Sequence, residues 1–467
     1  QRAERIWEQD KAEGIQGKCA GQPGEVTEES KPSKQAAPLL FDLTTLQRDA
    51  NGRFGFSARN TLAIAQALYE RHKVLTYPRT NSKALPEDYP ATVRKTLEGL
   101  SENGYASPAG KILKNEWVVA GNKRIFNNAK ISDHFAIIPT LQAPKKLKEQ
   151  EQKIYDLVVK RFLAVFFPTA EFEVTTRITR VENEPFKTEG KVLVQPGWLE
   201  VYGRDQQGEM LTVVKPGEQV KTIDIETNGT QTRPPARYNE ATLLSAMEHA
   251  GRLVDDEELA EAMRESGLGT PATRANIIEE LIRHRYLVRE NRELIPTAQA
   301  FQLITLLHGL NIEALSKPEL TGDWEHKLHE IERGQLDRES FMDEIRGMTE
   351  EIVNRTKSYE NDTVPGDYGE LKTPCPKCGN VVKENYRRFA CINAECDFDF
   401  GKAMGGRFFE LEEADELLTE RTIGPLQGFR SKMGRPFAAI IKVTEEHKVE
   451  FDFGNDEEEE APDFTDQ

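Results

Sequence analysis

Four of the five cysteines, Cys375, Cys378, Cys391 and Cys396, follow the pattern C-x2-C-x12-C-x4-C, and no other feature limits the fold of this chain as tightly. Paired cysteines at this spacing bring four thiolates to one point. In a chain without a secretory signal they favour tetrahedral Zn(II) over disulfides. Pro374 and Pro376, with Gly379 behind the first pair, supply the tight knuckle of a CPxCG turn. Four thiolates leave no position for water, so the metal expected here is structural rather than catalytic. A zinc-ribbon-like module over residues 363–404 follows from this. Cys19 stands apart and reads as a free thiol.

A chain of 467 residues has room for about three domains. No run approaches 18 apolar residues, so no membrane span is expected. The start, QRAERIWEQDKAEG, has neither an initiator methionine nor an apolar signal core, and the chain reads as a fragment. The net charge of −17 argues against a uniformly basic surface, yet it is concentrated near the C-terminus. There Asp456-Glu457-Glu458-Glu459-Glu460 marks residues 455–467 as an acidic, disordered tail. Net charge of this kind does not exclude a focused basic groove for nucleic acid.

Periodicity predicts a multidomain α+β chain. Residues 1–36 read as a helix from Arg2 to Glu13 followed by a Gly- and Ser-containing linker. Ser57 is an N-cap candidate for an amphipathic helix with Leu62, Ala65, Leu68 and Tyr69 at helical spacing. Helical patterns recur at Tyr89 to Leu100 and Glu149 to Phe167, then period-two alternation from Phe172 to Val220 predicts antiparallel strands. Asn239 to Ala250 is again helical. Thr270 is an N-cap candidate with Pro271 at the first helical position. The strand-like YLVREN and RELIPT and a helix from Thr297 complete a pattern resembling a winged-helix unit. Residues 405–454 read as a short helix and three strands. No P-loop or dinucleotide fingerprint is present, so nucleotide hydrolysis has no visible site.

The segment Leu75 to Lys83, LTYPRTNSK, carries the chemistry. Tyr77 offers a phenol able to attack a phosphodiester, and Arg79 a permanent cation for phosphate oxygens. Pro78 fixes its own backbone and biases Tyr77 towards an extended conformation, so the phenol is aimed.

Together with PLLFDLTTLQRDANGRFGFSARNTLAIAQALYE, SDHFAIIPT, RYNEATLLSAME, GLGTPATRANIIEELIRHRYL and LSKPELTGDWEHKLHEIERG, this segment resembles the type IA DNA topoisomerases, most closely the bacterial topoisomerase III branch. The resemblance holds in order from about Pro38 to Gly334. It implies an architecture of a tyrosine-bearing helical gate (37–170), a β-rich arch (171–235, with 1–36 a truncated arch or linker segment) and a helical, winged-helix-like DNA-binding domain (236–362). The zinc and C-terminal modules follow. It implies ATP-independent cleavage and rejoining of one DNA strand through a 5′-phosphotyrosine at Tyr77, allowing strand passage, relaxation of negative supercoils and decatenation. Arg79 and His134 would complete the catalytic set. Thr80, Ser82, Ser132, Asp133, Gly267, Gly269, Thr270, Thr273 and Arg274 match the family's DNA-contacting motifs, although simple helix capping explains Thr270 and Thr273 equally well.

Two positions depart from the family pattern. Asn81 stands where aspartate is usual, and Phe135 where many relatives carry a second polar residue. Type IA enzymes also hold Mg(II) in an N-terminal TOPRIM domain, and nothing before Tyr77 resembles it. Asp397-Phe398-Asp399, beside the cysteines, reads as structural. Two expectations therefore stand: an enzyme fragment, weak without TOPRIM, and a non-enzymatic single-stranded DNA-binding protein on the same scaffold. The expected partners are single-stranded DNA, a separate TOPRIM-bearing chain and a helicase. A cytoplasmic, nucleoid- or plasmid-associated monomer is expected. A relaxase would need a histidine cluster, and a tyrosine recombinase a dispersed Arg/His set without the zinc tail; neither fits.

Overall fold

The computed structural model describes residues 5–102, 104–203, 211–212, 214–215, 218–358, 368–431 and 434–453. The acidic stretch read over residues 455–467 lies outside them. The chain divides into two compact units, Gln1–Ala236 and Arg237–Gln467.

The first unit opens with helix α1 (Gln9–Cys19) and strand β1 (Pro23–Gln35). Here the structure departs from the sequence reading. The helix begins later than Arg2, and the supposed linker is a thirteen-residue strand. The reason is tertiary. β2 (Ala170–Val181) pairs with β1 from Gly24↔Val181 to Gln35↔Ala170, and this distant partner overrides the poor strand propensity of Gly24, Pro32 and Ser33. β3 (Glu184–Gln195) and the short β4 (Gln219–Lys221) complete a sheet of order β3-β2-β1-β4. β4 covers only Pro23–Glu25, so the rest of β1 is an edge among the described residues, where proline is tolerated. Cys19 is fully buried and its thiol donates to the Val181 carbonyl at 3.4 Å.

Helices α2 (Leu43–Phe54), α3 (Ala58–Glu70), α4 (Pro90–Ser101), α5 (Ala106–Lys114) and α6 (Glu149–Ala164) form the helical body. Local chemistry sets their starts. Asp42 accepts from Thr45 N–H at 2.8 Å, and Ser57 from Asn60 N–H at 3.1 Å. Gly55, left-handed at φ 71°, ends α2. α6 begins polar and is buried over most of its C-terminal half, with Ile154, Val158, Phe162 and Leu163 in the unit's core. Its one buried cation, Arg161, is paired: it donates to Asp49 at 2.7 Å and to the Leu39 carbonyl at 3.0 Å, and lies 4.0 Å over the Phe41 ring. That anchors residues 39–41, and Phe41 in turn bridges Ile137 beneath the site described below.

The second unit carries α7 (Glu240–Glu248), α8 (Glu257–Ser266), α9 (Pro271–Arg283), the hairpin β5 (Leu287–Glu290) and β6 (Glu293–Pro296), then α10 (Ala298–Gly309), α11 (Glu319–Glu332) and α12 (Arg338–Lys357). The hairpin is tied down by Arg289, which donates to Glu240 at 2.6 Å and Glu279 at 2.5 Å, joining α7 and α9 to the wing. A three-stranded sheet, β7 (Val382–Glu384), β8 (Arg388–Cys391) and β9 (Asp399–Gly401), carries the cysteines. β10 (Ala403–Met404), β11 (Arg407–Phe408), α13 (Leu411–Glu420) and the sheet β12 (Thr422–Arg430), β13 (Pro436–Val443), β14 (Val449–Asp452) follow. Phe389, Phe400, Phe409, Leu417, Phe429 and Ile441 share one buried cluster, so the cysteine-bearing sheet and the C-terminal sheet pack on a common core. Among the described residues, no helix is long and apolar enough to cross a membrane.

Candidate active site and metal centre

Tyr77 lies on an extended segment that runs beside residues 134–140 and is stitched to it. Thr76 N–H donates to Ile138 O at 3.0 Å, and the Thr76 hydroxyl donates to Ala136 O at 3.0 Å. Thr140 N–H donates to Val74 O, and Ala136 N–H to Ala84 O, each at 3.0 Å. Beneath this ladder Leu75, Leu85, Ile137 and Ile138 are buried in the core. The alternation therefore sinks the aliphatic residues and leaves Tyr77 half-buried, with Arg79 and His134 exposed. Tyr77 and His134 are brought into ring contact, with centroids 4.3 Å apart and planes at 46°. On another side the Tyr69 ring meets Tyr77 edge-on at 5.4 Å. The Gln66 carboxamide, oriented with its oxygen towards Arg79, accepts from Nε at 3.2 Å and Nη2 at 3.0 Å. Sequence reasoning passed over Gln66 and read Tyr69 only as part of an apolar helix face. Their signal is that they lie three residues apart on the helix that leads into the LTYPRT segment.

Thr80 and Ser82 are both 3% exposed, and their hydroxyls are committed within the loop. Thr80 donates to His134 O at 2.7 Å and accepts from Ser82 N–H at 3.0 Å, while Ser82 donates to Lys130 O at 2.8 Å. Ser132 and Asp133 are exposed beside His134, and Ser132 donates to Asn81 at 3.3 Å. Thr80 is thus the peg that fixes the backbone of His134 to the Tyr77 segment. Thr80→Val keeps the shape but strands both partners, so it is expected to destabilise the first unit by about 1–3 kcal/mol, read from the shift of its urea transition.

In the second unit, Gly267, Gly269, Thr270, Thr273 and Arg274 surround the start of α9. Thr270 N–H donates to the Thr273 hydroxyl at 2.9 Å, and both side chains are exposed. Capping is therefore realised, and the two exposed hydroxyls lie 3.1 Å apart, bonded to one another. Arg274 is instead 3% exposed and donates from Nε to Leu268 O at 3.1 Å, which fixes the loop before the helix. Gly267 has φ +64°, and a Cβ there would lie 2.4 Å from Met247 O. Gly267→Ala should destabilise this unit by about 2 kcal/mol or more in a denaturant titration.

The four cysteine sulfurs lie within 4.8 Å of one another. Cys375–Cys396 are 3.8 Å apart and Cys378–Cys391 3.4 Å, too long for disulfides and close to the roughly 3.8 Å edge of a tetrahedron with 2.3 Å Zn–S bonds. Two turns present them. Gly379, at φ 76°, donates to Cys375 O at 2.8 Å, and Cys396 N–H donates to Asn393 O at 2.9 Å. Donation from the side chain and backbone of Asn380 pulls the Cys378 thiol down to about 6, whereas burial pushes Cys391 up to about 12. A bound dication would deprotonate such a set outright. The donor set fits a four-thiolate metal.

Residues 1–343 match the protein-family model described as DNA topoisomerase. The chain belongs to the DNA topoisomerase family. Residues 395–454 match a second model, the C-terminal repeat of topoisomerase. DNA topoisomerase 3 of Bacillus cereus is 38% identical over 415 residues, which cover 84% of this chain and 55% of that protein. DNA topoisomerase 3 of Bacillus subtilis is 37% identical over 414 residues, covering 84% and 55%. The chain thus spans about half the length of the curated relatives it matches. Full-length topoisomerase I from Thermotoga maritima shares the fold, with a TM-score of 0.59 at 21% identity over 87% of this chain and 64% of that one. The resemblance to the topoisomerase III branch drawn from the motifs agrees with these relatives.

The two departures from the topoisomerase pattern have local explanations. Asn81 uses its side-chain oxygen as an acceptor for Ser132, a role that an aspartate oxygen fills equally. Phe135 packs on Tyr89, with centroids 5.1 Å apart, at the rim of the core.

Proposed function

We propose that this chain carries the nucleophilic half of a type IA topoisomerase III active site, cleaving and rejoining a single DNA strand without ATP. The observation carrying this reading is the contact of Tyr77 with His134 at 4.3 Å, with Arg79 exposed two residues along the same extended segment. The Tyr77 oxygen attacks phosphorus and loses its proton, the bond from phosphorus to the 3′ oxygen breaks, and that oxygen takes up a proton as a free hydroxyl. One phosphodiester is exchanged for one phosphotyrosine ester, so the step reverses without an energy source. Tyrosine ordinarily titrates near 10, and Arg79 would favour phenolate character and the charge that develops on the phosphate oxygens. His134 would donate to the scissile phosphate. Ser132, Asp133, Thr270 and Thr273 would meet the DNA backbone, a reading supported by their exposure, whereas Thr80, Ser82, Gly267, Gly269 and Arg274 would act by holding the two loops.

This assigns residues 37–170 to the gate, 171–235 to the arch and 236–362 to a further DNA-gripping domain. Zn(II) is the metal we assign to Cys375, Cys378, Cys391 and Cys396, in a structural role. Mg(II), implied by the family, does not fit the described residues, among which the cysteine quartet is the one cluster able to hold a metal. Single-stranded DNA is the substrate, held by cations and aromatic rings with little base readout. The test is end-chemistry on an internally labelled single strand, with Mg(II) and a TOPRIM-bearing chain supplied. The expected products are a protein-linked 5′ phosphate and an extendable 3′ hydroxyl. A 3′ linkage, or strand binding with no adduct, would reject cleavage of this type and leave a DNA-binding protein.

A further inference from the structure

We propose that Gln66 is a positioning residue for Arg79, and that one face of α3 sets both the nucleophile and the phosphate-binding cation; this rests on the reading of Tyr77 given above. Gln66 and Tyr69 are three residues apart on α3 and so project from the same side. The first accepts from Nε and Nη2 of Arg79 at 3.2 and 3.0 Å, and the second packs edge-on against Tyr77 at 5.4 Å. The helix itself is fixed, with Ala65 and Leu68, each one residue before these two positions, fully buried and Ser57 capping its start.

The choice of a neutral amide has chemical content. Arg79 is exposed, and an unsupported arginine would have to give up its rotamer freedom when it meets a phosphate. Gln66 removes that freedom beforehand. Two of the five guanidinium N–H groups are used, and three remain for phosphate oxygens. A carboxylate at position 66 would hold the same geometry but cancel the charge that the transition state needs. Orientation and charge are therefore separable by substitution, which makes the role testable.

Two measurements decide it. In the chain labelled with 15N-arginine, the Nε–H of Arg79 is assigned by its loss in Arg79→Lys. Its exchange with water should quicken by about tenfold in Gln66→Leu, with one protecting acceptor removed, and stay slow in Gln66→Glu. Unchanged exchange in Gln66→Leu overturns the proposal. This arm needs no chemistry at Tyr77. The second arm follows the rate of adduct formation on saturating single-stranded oligonucleotide, with Mg(II) and a TOPRIM-bearing chain present. Gln66→Leu should lower the maximal rate by about tenfold, with the half-saturating DNA concentration moved by about threefold at most. Gln66→Glu should also lower the maximal rate by about tenfold while exchange stays slow, because the carboxylate cancels the charge offered to the phosphate oxygens. A merely structural Gln66 predicts the parent's maximal rate for Gln66→Glu, and that result also overturns the proposal. Absence of any adduct from the parent chain overturns the cleavage reading instead, while the exchange arm still decides whether Gln66 holds Arg79.

Discussion

Tyr77→Phe is expected to abolish formation of a protein–DNA adduct, by about 10⁴-fold or more, while leaving the fold intact. Among the described residues the Tyr77 hydroxyl has no hydrogen-bond partner, and the ring is held by His134 and Tyr69. Phenylalanine keeps both ring contacts and strands no buried group, so stability should change by less than about 0.5 kcal/mol. Affinity for a single-stranded oligonucleotide should stay within about twofold, because phosphate–cation contacts supply most of it. Denaturing gel analysis after incubation with a labelled strand separates the cases. If Tyr77→Phe still forms the adduct, the nucleophile is another residue and the assignment of this site is wrong.

Removing the metal should have the second-largest effect, and a spatially limited one. Bringing four thiolates within 4.8 Å of one another is unfavourable without a cation, and structural zinc contributes on the order of 10 kcal/mol to small modules of this kind. The parent chain should contain one Zn(II), and Cys375→Ser should lose it. In hydrogen exchange, β7, β8 and β9 should lose protection when a chelator is added. β12 and β13 should lose less, because Phe429, Ile441 and Leu417 also pack on one another, although they share their core with Phe389 and Phe400 of the cysteine-bearing sheet. Metal-free chain with β7–β9 still protected would show that the apolar core, rather than the ion, specifies the module.

Sequence legibility followed the range of the interactions. The helix starts at Ser57 and Thr270, the helical spacing of α6 and the two cysteine knuckles depend on residues within a few positions of one another, and all are visible as patterns. The wing of β5 and β6 was equally plain, since each strand is short and turns through Asn291 and Arg292. β1 was not legible, because a segment with two prolines and few apolar residues becomes a strand only by pairing with residues 170–181. At the site, Tyr77, Arg79 and His134 were named from their motifs. The inward commitment of the Thr80 and Ser82 hydroxyls was hidden, since a motif records residue type and not direction. Burial of Arg274 was hidden for the same reason. Gln66 carried no motif significance at all, and its bond to Arg79 exists only once α3 packs beside the strand.

The ladder between residues 74–85 and 134–140 bears on any cycle in which a cut strand must be parted and brought back. Phenol and imidazole ride on one raft, lashed by main-chain bonds, so sliding one past the other would mean tearing Thr76 from Ile138 and Thr140 from Val74 together. If a strand is cut at Tyr77, the phenol that would hold its 5′ end and the imidazole beside it stay together on this one tied piece of backbone.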